Sequence, residues 1–212
     1  MSEGRSPTEW RLHVGASTTP GEVLLPRAAV EFSERRPDVE LDVRIADTEE
    51  IVAALKGREV ELAVVGREVD DPDLQGRVLE QDELVLVVAA SSEMTGSELH
   101  PSDLARMAFV IREEGSATRR AAEEALAAAG QEARVAMELG SNAAVVAAVA
   151  EGEGLVGVVP ARQLGDDRRV GRLRVEGLSL KRPFVLLTER GRTLSDAAEA
   201  LVAVLTGAAG AP

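Results

Sequence analysis

Residues 11–36, RLHVGASTTPGEVLLPRAAVEFSERR, contain the pattern that decides the fold. The segment Arg11–Ala16 predicts a β-strand, and the polar residues Ser17, Thr18 and Thr19 follow it directly. The remainder of the stretch has apolar residues at helical spacing, so it predicts a helix. A strand, a polar turn and a helix in this order are the repeating unit of an α/β sheet.

The start of this helix carries recognisable signals. Thr19–Glu22 fits a capping box with proline at the first helical position. Pro26 lacks a backbone N–H group, so it indicates a kink or a late start in the helix. Pro37 then predicts its end after Arg36.

The same alternation continues to the end of the chain. Further strands are predicted at Val39–Ile45, Val60–Val65, Glu83–Ala90, Ala108–Ile111, Arg134–Leu139, Leu155–Val159 and Pro183–Thr188. Further helices are predicted from the Asp47 cap to Gly57, over Ala117–Ala129 and Ala143–Glu151, and from the Ser195 cap to Leu205. This order predicts a mostly parallel sheet with crossover helices, built from two strand–helix blocks and a short return segment.

The composition predicts an aliphatic core without metal or thiol chemistry. Apolar residues make up 45% of the 212 residues, with three Phe, one Trp and no Tyr. The absence of cysteine excludes a disulfide, a thiolate metal site and a cysteine nucleophile. His13 and His100 lie far apart in the sequence and are interpreted as structural, so we expect neither a metal nor a cofactor.

The charge and the termini limit the classes of partner. A formal net charge of −13 argues against nucleic-acid binding by this chain alone and against an anionic membrane surface. No apolar run approaches the length of a membrane span, and the first residues lack an export signal, so a cytoplasmic location is expected. Residues 1–9 and 207–212 are expected to be disordered.

Three strand-to-helix turns carry hydroxyl or amide side chains: Ser17–Thr19, Gly115–Thr118 and Gly140–Asn142. In open α/β sheets ligands bind beyond the carboxyl ends of the strands. Helix N-termini there present free N–H groups, to which hydroxyls add further donors. Ordinary N-capping explains any one of these turns, so capping and ligand binding both remain open.

Catalytic patterns are missing from the sequence. No GxSxG elbow, P-loop or GxGxxG loop follows a strand. Ser17 and Ser116 have no base near them in the sequence, and Glu113 and Glu114 are interpreted as solvated or as caps of the nearby helix. We therefore expect that the chain is not an enzyme.

Six segments follow one another in the sequence: GASTTPGEVLLPRAAVEFSERRPDVELDV, DTEEIVAALKGREVELAVVG, LEQDELVLVVAASSEM, IREEGSATRRAAEEAL, MELGSNAAVVAAVAEGEGLVGVVP and GRTLSDAAEALVAVL. In their order and spacing, the sequence from Leu12 to Leu205 resembles the effector-binding domain of LysR-type transcription regulators. The REEGSATR and MELGSN segments are most similar to regulators of sulfur assimilation and carbon fixation.

The resemblance implies an α/β, periplasmic-binding-protein-like type II fold. Two Rossmann-like lobes would be joined by two crossover strands, expected at Leu84–Val88 and Phe184–Leu187. Lobe I would comprise residues 10–88 and 182–206, and lobe II residues 89–181.

The resemblance also implies a site and partners. A small anionic metabolite would bind between the lobes through Ser17, Thr18, Thr19, Gly66, Ser116, Thr118, Ser141 and Asn142. Family members form homodimers, here through the helices around Leu25–Phe32 and Ala121–Ala129. They bind DNA through an N-terminal winged helix-turn-helix that this sequence does not include. The alternatives are a solute-binding protein of the same fold, which needs an export signal, and an enzyme on the same scaffold.

Overall fold

The computed structural model describes residues 11–207. The strands are β1 Arg11–Ser17, β2 Glu40–Ala46, β3 Leu62–Val65, β4 Leu74–Ala89, β5 Glu98–Leu99, β6 Ala108–Arg112, β7 Arg134–Leu139, β8 Leu155–Pro160, β9 Val170–Val175 and β10 Lys181–Glu189. The α-helices are α1 Thr18–Val23, α2 Leu25–Arg35, α3 Thr48–Lys56, α4 Ala117–Ala128, α5 Asn142–Glu151, α6 Ala161–Leu164 and α7 Asp196–Leu205, with a 3-10 helix at Pro101–Arg106. Within residues 11–207, no helix is both long enough and apolar enough to cross a bilayer. The expectations for residues 1–9 and 208–212 fall outside this range.

The described chain divides into unit 1, residues 11–80 and 183–207, and unit 2, residues 81–182. The chain passes from one unit to the other within β4 and again within β10. The sequence divided the lobes at 88/89 and 181/182, whereas these passages fall at 80/81 and 182/183. Only the second half of β4 was predicted, because its first half, LQGRVLEQD, mixes polar and charged residues with few apolar ones.

Unit 1 is built on a sheet with the strand order β2-β1-β3-β10. β1 runs parallel to β2 and β3, and β10 runs antiparallel to β3. Phe32 of α2 and Leu201 of α7 are buried in one core cluster, and Ile51 and Leu55 of α3 are buried in a second. The unit therefore buries helices against a central sheet, as the strand–helix alternation predicted.

Unit 2 repeats this plan with the strand order β4-β8-β6-β7. β6 runs parallel to β7 and β8, while β4 runs antiparallel to β8 and β9. Phe109 packs in a cluster with Leu126 of α4, and Val145 and Val149 of α5 form another. The sequence missed the short strand β5 and the charged strand β9, whose arginines hide its alternation.

The predicted capping box at Thr19–Glu22 is wrong. The first helix begins at Thr18, with Ser17 at the N-cap position, and ends at Val23. A second helix starts at Leu25 with Pro26 in its first turn, where a missing N–H group costs no helical hydrogen bond. The late start that Pro26 indicated is therefore a break into two helices.

Candidate functional site

The predicted residues Ser17 and Gly66 meet at one edge of the unit 1 sheet. β1 and β3 are parallel, so Ser17 at the end of β1 and Gly66 after β3 lie at neighbouring carboxyl ends. The Ser17 hydroxyl oxygen accepts a hydrogen bond from the Gly66 N–H group at 3.0 Å. Because this oxygen accepts, the Ser17 hydroxyl hydrogen remains available to an acceptor on a ligand.

Thr18 and Thr19 form the first turn of α1 beside Ser17. Thr19 is buried and Thr18 is half-buried. Ser17 makes no side-chain capping bond to this helix, since its hydroxyl oxygen is bound to Gly66. Ordinary N-capping therefore does not account for the Ser17 hydroxyl, and the first N–H groups of α1 have no side-chain cap from it.

Thr48 is a candidate that sequence reasoning missed. It is the first residue of α3, directly after the Asp47 cap, whose carboxylate accepts from the Glu50 N–H group at 2.8 Å. The Thr48 side chain is buried, and its hydroxyl has no hydrogen-bond partner within residues 11–207. The signal was present: Asp47-Thr48 is a fourth polar strand-to-helix turn, at the end of the parallel strand β2.

Ser116 and Thr118 lie at the corresponding edge of unit 2, after β6. Ser116 is the N-cap residue of α4 and is buried, yet it makes no side-chain capping bond. Thr118, in the first turn, is 2% exposed. The first helical hydrogen bond runs from the Arg120 N–H group to the Ser116 carbonyl oxygen at 3.0 Å. The N–H groups of Ala117, Thr118 and Arg119 are thus the free donors that an α-helix leaves at its start, while the Ser116 N–H group donates to the Glu113 carbonyl oxygen at 3.2 Å.

Ser141 and Asn142 follow β7, which is parallel to β6. Ser141 is an ordinary cap, because its hydroxyl oxygen accepts from the Ala144 N–H group at 3.1 Å. The Asn142 amide group donates to the Gln163 side-chain oxygen at 2.5 Å. Its own oxygen Oδ1 is buried and has no partner in the part of the chain that the structure describes. Capping thus explains Ser141, whereas Asn142 presents an acceptor that a ligand N–H or O–H group can satisfy.

A buried ion pair at the end of β6 corrects the interpretation of Glu113. The Arg112 side chain is 3% exposed, and Nε and Nη2 donate to the two Glu113 carboxylate oxygens at 2.7 and 2.6 Å. Burial alone would raise the pKa of Glu113, but these hydrogen bonds and the charges of Arg112 and Arg119 hold it below its ordinary value. Glu113 is therefore the ion-pair partner of a buried arginine, although its own side chain is 34% exposed.

A second buried ion pair reaches the predicted site directly. Arg182 donates through Nε and Nη2 to Asp82 Oδ2 at 3.1 and 3.0 Å, and through Nη1 to the Thr118 hydroxyl oxygen at 2.8 Å. Desolvation lowers the pKa of Arg182 below its ordinary value despite Asp82, and the charge of Arg112 lowers it further. Nothing in the sequence marked these residues, because no local pattern links positions 100 residues apart.

The two histidines have local partners. His13 lies on the exposed face of β1, with Nδ1 3.1 Å from an Asp42 carboxylate oxygen on β2. His100 caps the 3-10 helix, accepting through Nδ1 from the Ser102 N–H group at 3.3 Å. Within residues 11–207, no three His, Asp or Glu side chains are grouped to hold a metal ion.

The chain is similar to known proteins over more than nine tenths of its own length. It is 37% identical over 199 residues to "Phosphonates import ATP-binding protein PhnC" of Anaeromyxobacter dehalogenans, covering 91% of this chain and 40% of that protein. It is 29% identical to "HTH-type transcriptional regulator CbbR" of Rhodospirillum rubrum, covering 93% of this chain and 66% of the regulator. The chain thus spans less than two thirds of the length of these relatives.

A solved structure agrees with the fold. The regulatory domain of CcmR from Synechocystis PCC6803, in complex with 2-PG, superposes with a TM-score of 0.84 at 25% identity, covering 93% of this chain and 96% of that one. This confirms the predicted periplasmic-binding-protein-like type II fold. Residues 5–210 match the family model described as "LysR substrate binding domain". The chain therefore belongs to the LysR substrate-binding domain family, as the resemblance predicted.

Proposed function

We propose that this chain is the effector-sensing domain of a LysR-type transcription regulator. It binds a small anionic metabolite and transmits binding to a DNA-binding segment elsewhere in the full-length protein. A ligand changes the output only if it favours one conformational state over another. The named regulator relative favours this function over the solute-binding alternative.

The observation that carries the proposal is the set of hydroxyls that cap no helix. Ser17 and Ser116 stand at N-cap positions without making the capping bond. Each lies where a parallel strand ends and helix N–H groups are free, an arrangement that favours an anion. The other proposed contacts are Thr18, Thr19, Gly66, Thr118 and Asn142, with Thr48 added from the structure. Ser141 stays among them through its hydroxyl hydrogen, which the capping bond does not use.

The relatives support an anionic effector. The CcmR domain was solved in complex with 2-PG, and the PhnC relative is named for phosphonates. We therefore choose 2-PG and methylphosphonate as probes. Calorimetric titration of the parent chain with both is the first test, and binding of neither probe would contradict the proposal.

Replacing Thr18 or Thr118 with alanine is expected to weaken probe binding while the chain stays folded. The loss of one hydrogen bond to a ligand corresponds to about three- to hundred-fold in affinity, depending on the ligand's charge. Calorimetric titration measures the affinity, and a thermal melt of the same variant measures stability.

Ser195→Ala is the matched control for this test. The Ser195 hydroxyl caps α7 by accepting from the Ala198 N–H group at 3.2 Å and donates to the Glu61 carboxylate at 2.9 Å. Glu61 precedes β3, whereas the proposed contact Gly66 follows it. Its loss is expected to lower stability by about 1 kcal/mol and to leave affinity unchanged. If the Thr18 and Thr118 variants bind as the parent does, the site is placed wrongly.

The proposed assembly is a homodimer, but the apolar faces first expected to form it are not free. Leu25 and Phe32 of α2, and Ala122 and Leu126 of α4, are buried inside their own units. The exposed large apolar side chains among the described residues lie elsewhere: Val30 on α2, Ile45 on the edge strand β2, Val78 on β4, and Val135 and Met137 on the edge strand β7. An isologous contact would bury each of these patches twice.

The change Val30→Asp is expected to convert the dimer to a monomer. Val30 is 63% exposed on α2, and an aspartate there would place two buried charges in a symmetric contact. Sedimentation velocity measures the shift. Val78→Asp, at a valine 47% exposed on β4, is the control and should leave the dimer intact. A parent that sediments as a monomer at high concentration would contradict the assembly.

The proposed partners are thus a small-molecule effector, a second copy of the chain and, through the full-length protein, DNA. The net charge of −13 supports the view that DNA contact comes from another segment. A cytoplasmic location follows from this proposed role.

A further inference from the structure

The hydroxyl of Thr118 accepts a hydrogen bond from Arg182, and this contact orients its own hydrogen. Arg182 Nη1 lies 2.8 Å from the Thr118 hydroxyl oxygen, and both side chains are nearly fully buried. A guanidinium group has donors only, so the Thr118 oxygen must accept. Among the hydrogen bonds of residues 11–207, none uses the Thr118 hydroxyl as donor. Its hydrogen therefore points away from Arg182 and remains available to an acceptor on a ligand.

Asp82 fixes the orientation of Arg182. One carboxylate oxygen, Oδ2, accepts from both Nε and Nη2 at 3.1 and 3.0 Å, and the Asp82 side chain is fully buried. The guanidinium plane is rigid, so two fixed donors also set the direction of Nη1. Asp82 thus positions Arg182, and Arg182 positions Thr118.

The groups around Thr118 also favour a hydrogen-bond acceptor on the ligand. The first turn of α4 supplies free N–H donors, and Ser116 does not cap them. The two nearby ion pairs, Arg112 with Glu113 and Arg182 with Asp82, each balance their formal charges. The turn therefore offers hydrogen-bond donors without a large excess of charge. It selects a ligand by whether the ligand presents hydrogen-bond acceptors to these donors.

We propose that Arg182, held by Asp82, is a specificity-determining residue that commits Thr118 to donate a hydrogen bond to the effector. The effector then presents a carboxylate, phosphate or phosphonate oxygen to the first turn of α4. A ligand that places an ammonium or other donor-only group there binds more weakly, because the free N–H groups and the Thr118 hydroxyl hydrogen then lack an acceptor. This inference rests on the proposed function, and it adds which ligand group the turn recognises and which residues make it selective.

The test removes both charges of the pair together. Asp82→Leu with Arg182→Met replaces them with apolar groups, a change that buried ion pairs often tolerate. The Thr118 hydroxyl is then free to rotate and loses its orientation. Affinity for 2-PG and methylphosphonate, measured by calorimetric titration, is expected to fall about three- to tenfold.

The decisive measurement is Thr118→Val in both backgrounds. In the parent we expect it to weaken probe binding by about tenfold or more, and in the double variant by less than about threefold. An ion pair that only stabilises the fold would leave the effect of Thr118→Val equal in both. The control pair is Arg58→Met with Glu189→Leu, an ion pair of unit 1 whose arginine is 67% and whose glutamate is 21% exposed, and it should leave probe affinity unchanged.

Arg182→Lys covers the case in which the double variant does not fold. Lysine keeps the charge beside Asp82 but lacks the planar fork that joins Asp82 to Thr118. In the Arg182→Lys background too, Thr118→Val should weaken probe binding by a smaller factor than it does in the parent. An equal effect of Thr118→Val in every folded background overturns this inference and leaves the proposed function standing. A parent that binds neither probe overturns both.

Discussion

Replacing Asp82 with alanine is expected to lower the free energy of unfolding by about 3–5 kcal/mol. The Arg182 side chain is 3% exposed, and a guanidinium does not release its proton at neutral pH. The variant therefore leaves a buried positive charge without its Asp82 partner. The charge of Arg112, which already disfavours the protonated form of Arg182, adds to the cost. Urea unfolding of parent and variant measures the difference.

The double variant Asp82→Leu with Arg182→Met separates burial from charge. With both charges removed, we expect stability within about 1 kcal/mol of the parent. If Asp82→Ala alone costs less than about 1 kcal/mol, the pair does not hold a desolvated charge in solution. Equal losses in the single and double variants would mean that shape, and not charge, matters at this position.

The change Glu113→Ala is expected to cost about 1.5–3 kcal/mol, the range for hydrogen bonds to charged groups. Glu113 supplies both acceptors for the buried Arg112 guanidinium, at 2.6 and 2.7 Å. Its neighbour Glu114 is exposed, so Glu114→Ala is the matched control and should change stability by less than about 0.5 kcal/mol. Equal effects of the two changes in urea unfolding would restore the surface interpretation of Glu113.

The same ion pair predicts a pH dependence. The pKa of Glu113 is lower in the folded chain than in the unfolded one, because Arg112 and Arg119 favour the carboxylate despite burial. Its contribution to stability is therefore fully present above the ordinary glutamate pKa of about 4.3. It is lost as the pH falls through the lower pKa that Glu113 has in the folded chain. The free energy of unfolding, measured across this acidic range, should fall less steeply with falling pH for Glu113→Ala than for the parent.

The regular parts of the fold could be predicted because local patterns encode them. The Asp47 and Ser195 caps make the bonds that their positions indicate, to the Glu50 and Ala198 N–H groups. Strand β7 was predicted with its observed bounds, Arg134–Leu139. Where pattern and packing conflict, the prediction failed: the first half of β4 is polar because much of it is exposed, so it has no apolar run to recognise.

The candidate site could be predicted only as a set of turns. The sequence places hydroxyls after strands, but it does not show that Ser17 binds Gly66 in place of capping a helix. Nor does it show that Thr118 meets Arg182, a contact between residues 64 positions apart. Such pairings depend on tertiary structure. The sequence likewise does not show that Ser141 caps its helix whereas Ser17 and Ser116 do not.

The two passages of the chain between its units also set an order of assembly during synthesis. Unit 2 is one continuous segment, residues 81–182, and its first and last parts are joined by the Asp82–Arg182 pair. Unit 1 is interrupted: β3 receives its antiparallel neighbour β10, and the core its helix α7, only from residues after 182. On the ribosome, where domains usually complete from the N-terminus, the inserted unit here can close first. Residues 11–80 must wait for residues 183–207 before their core is complete.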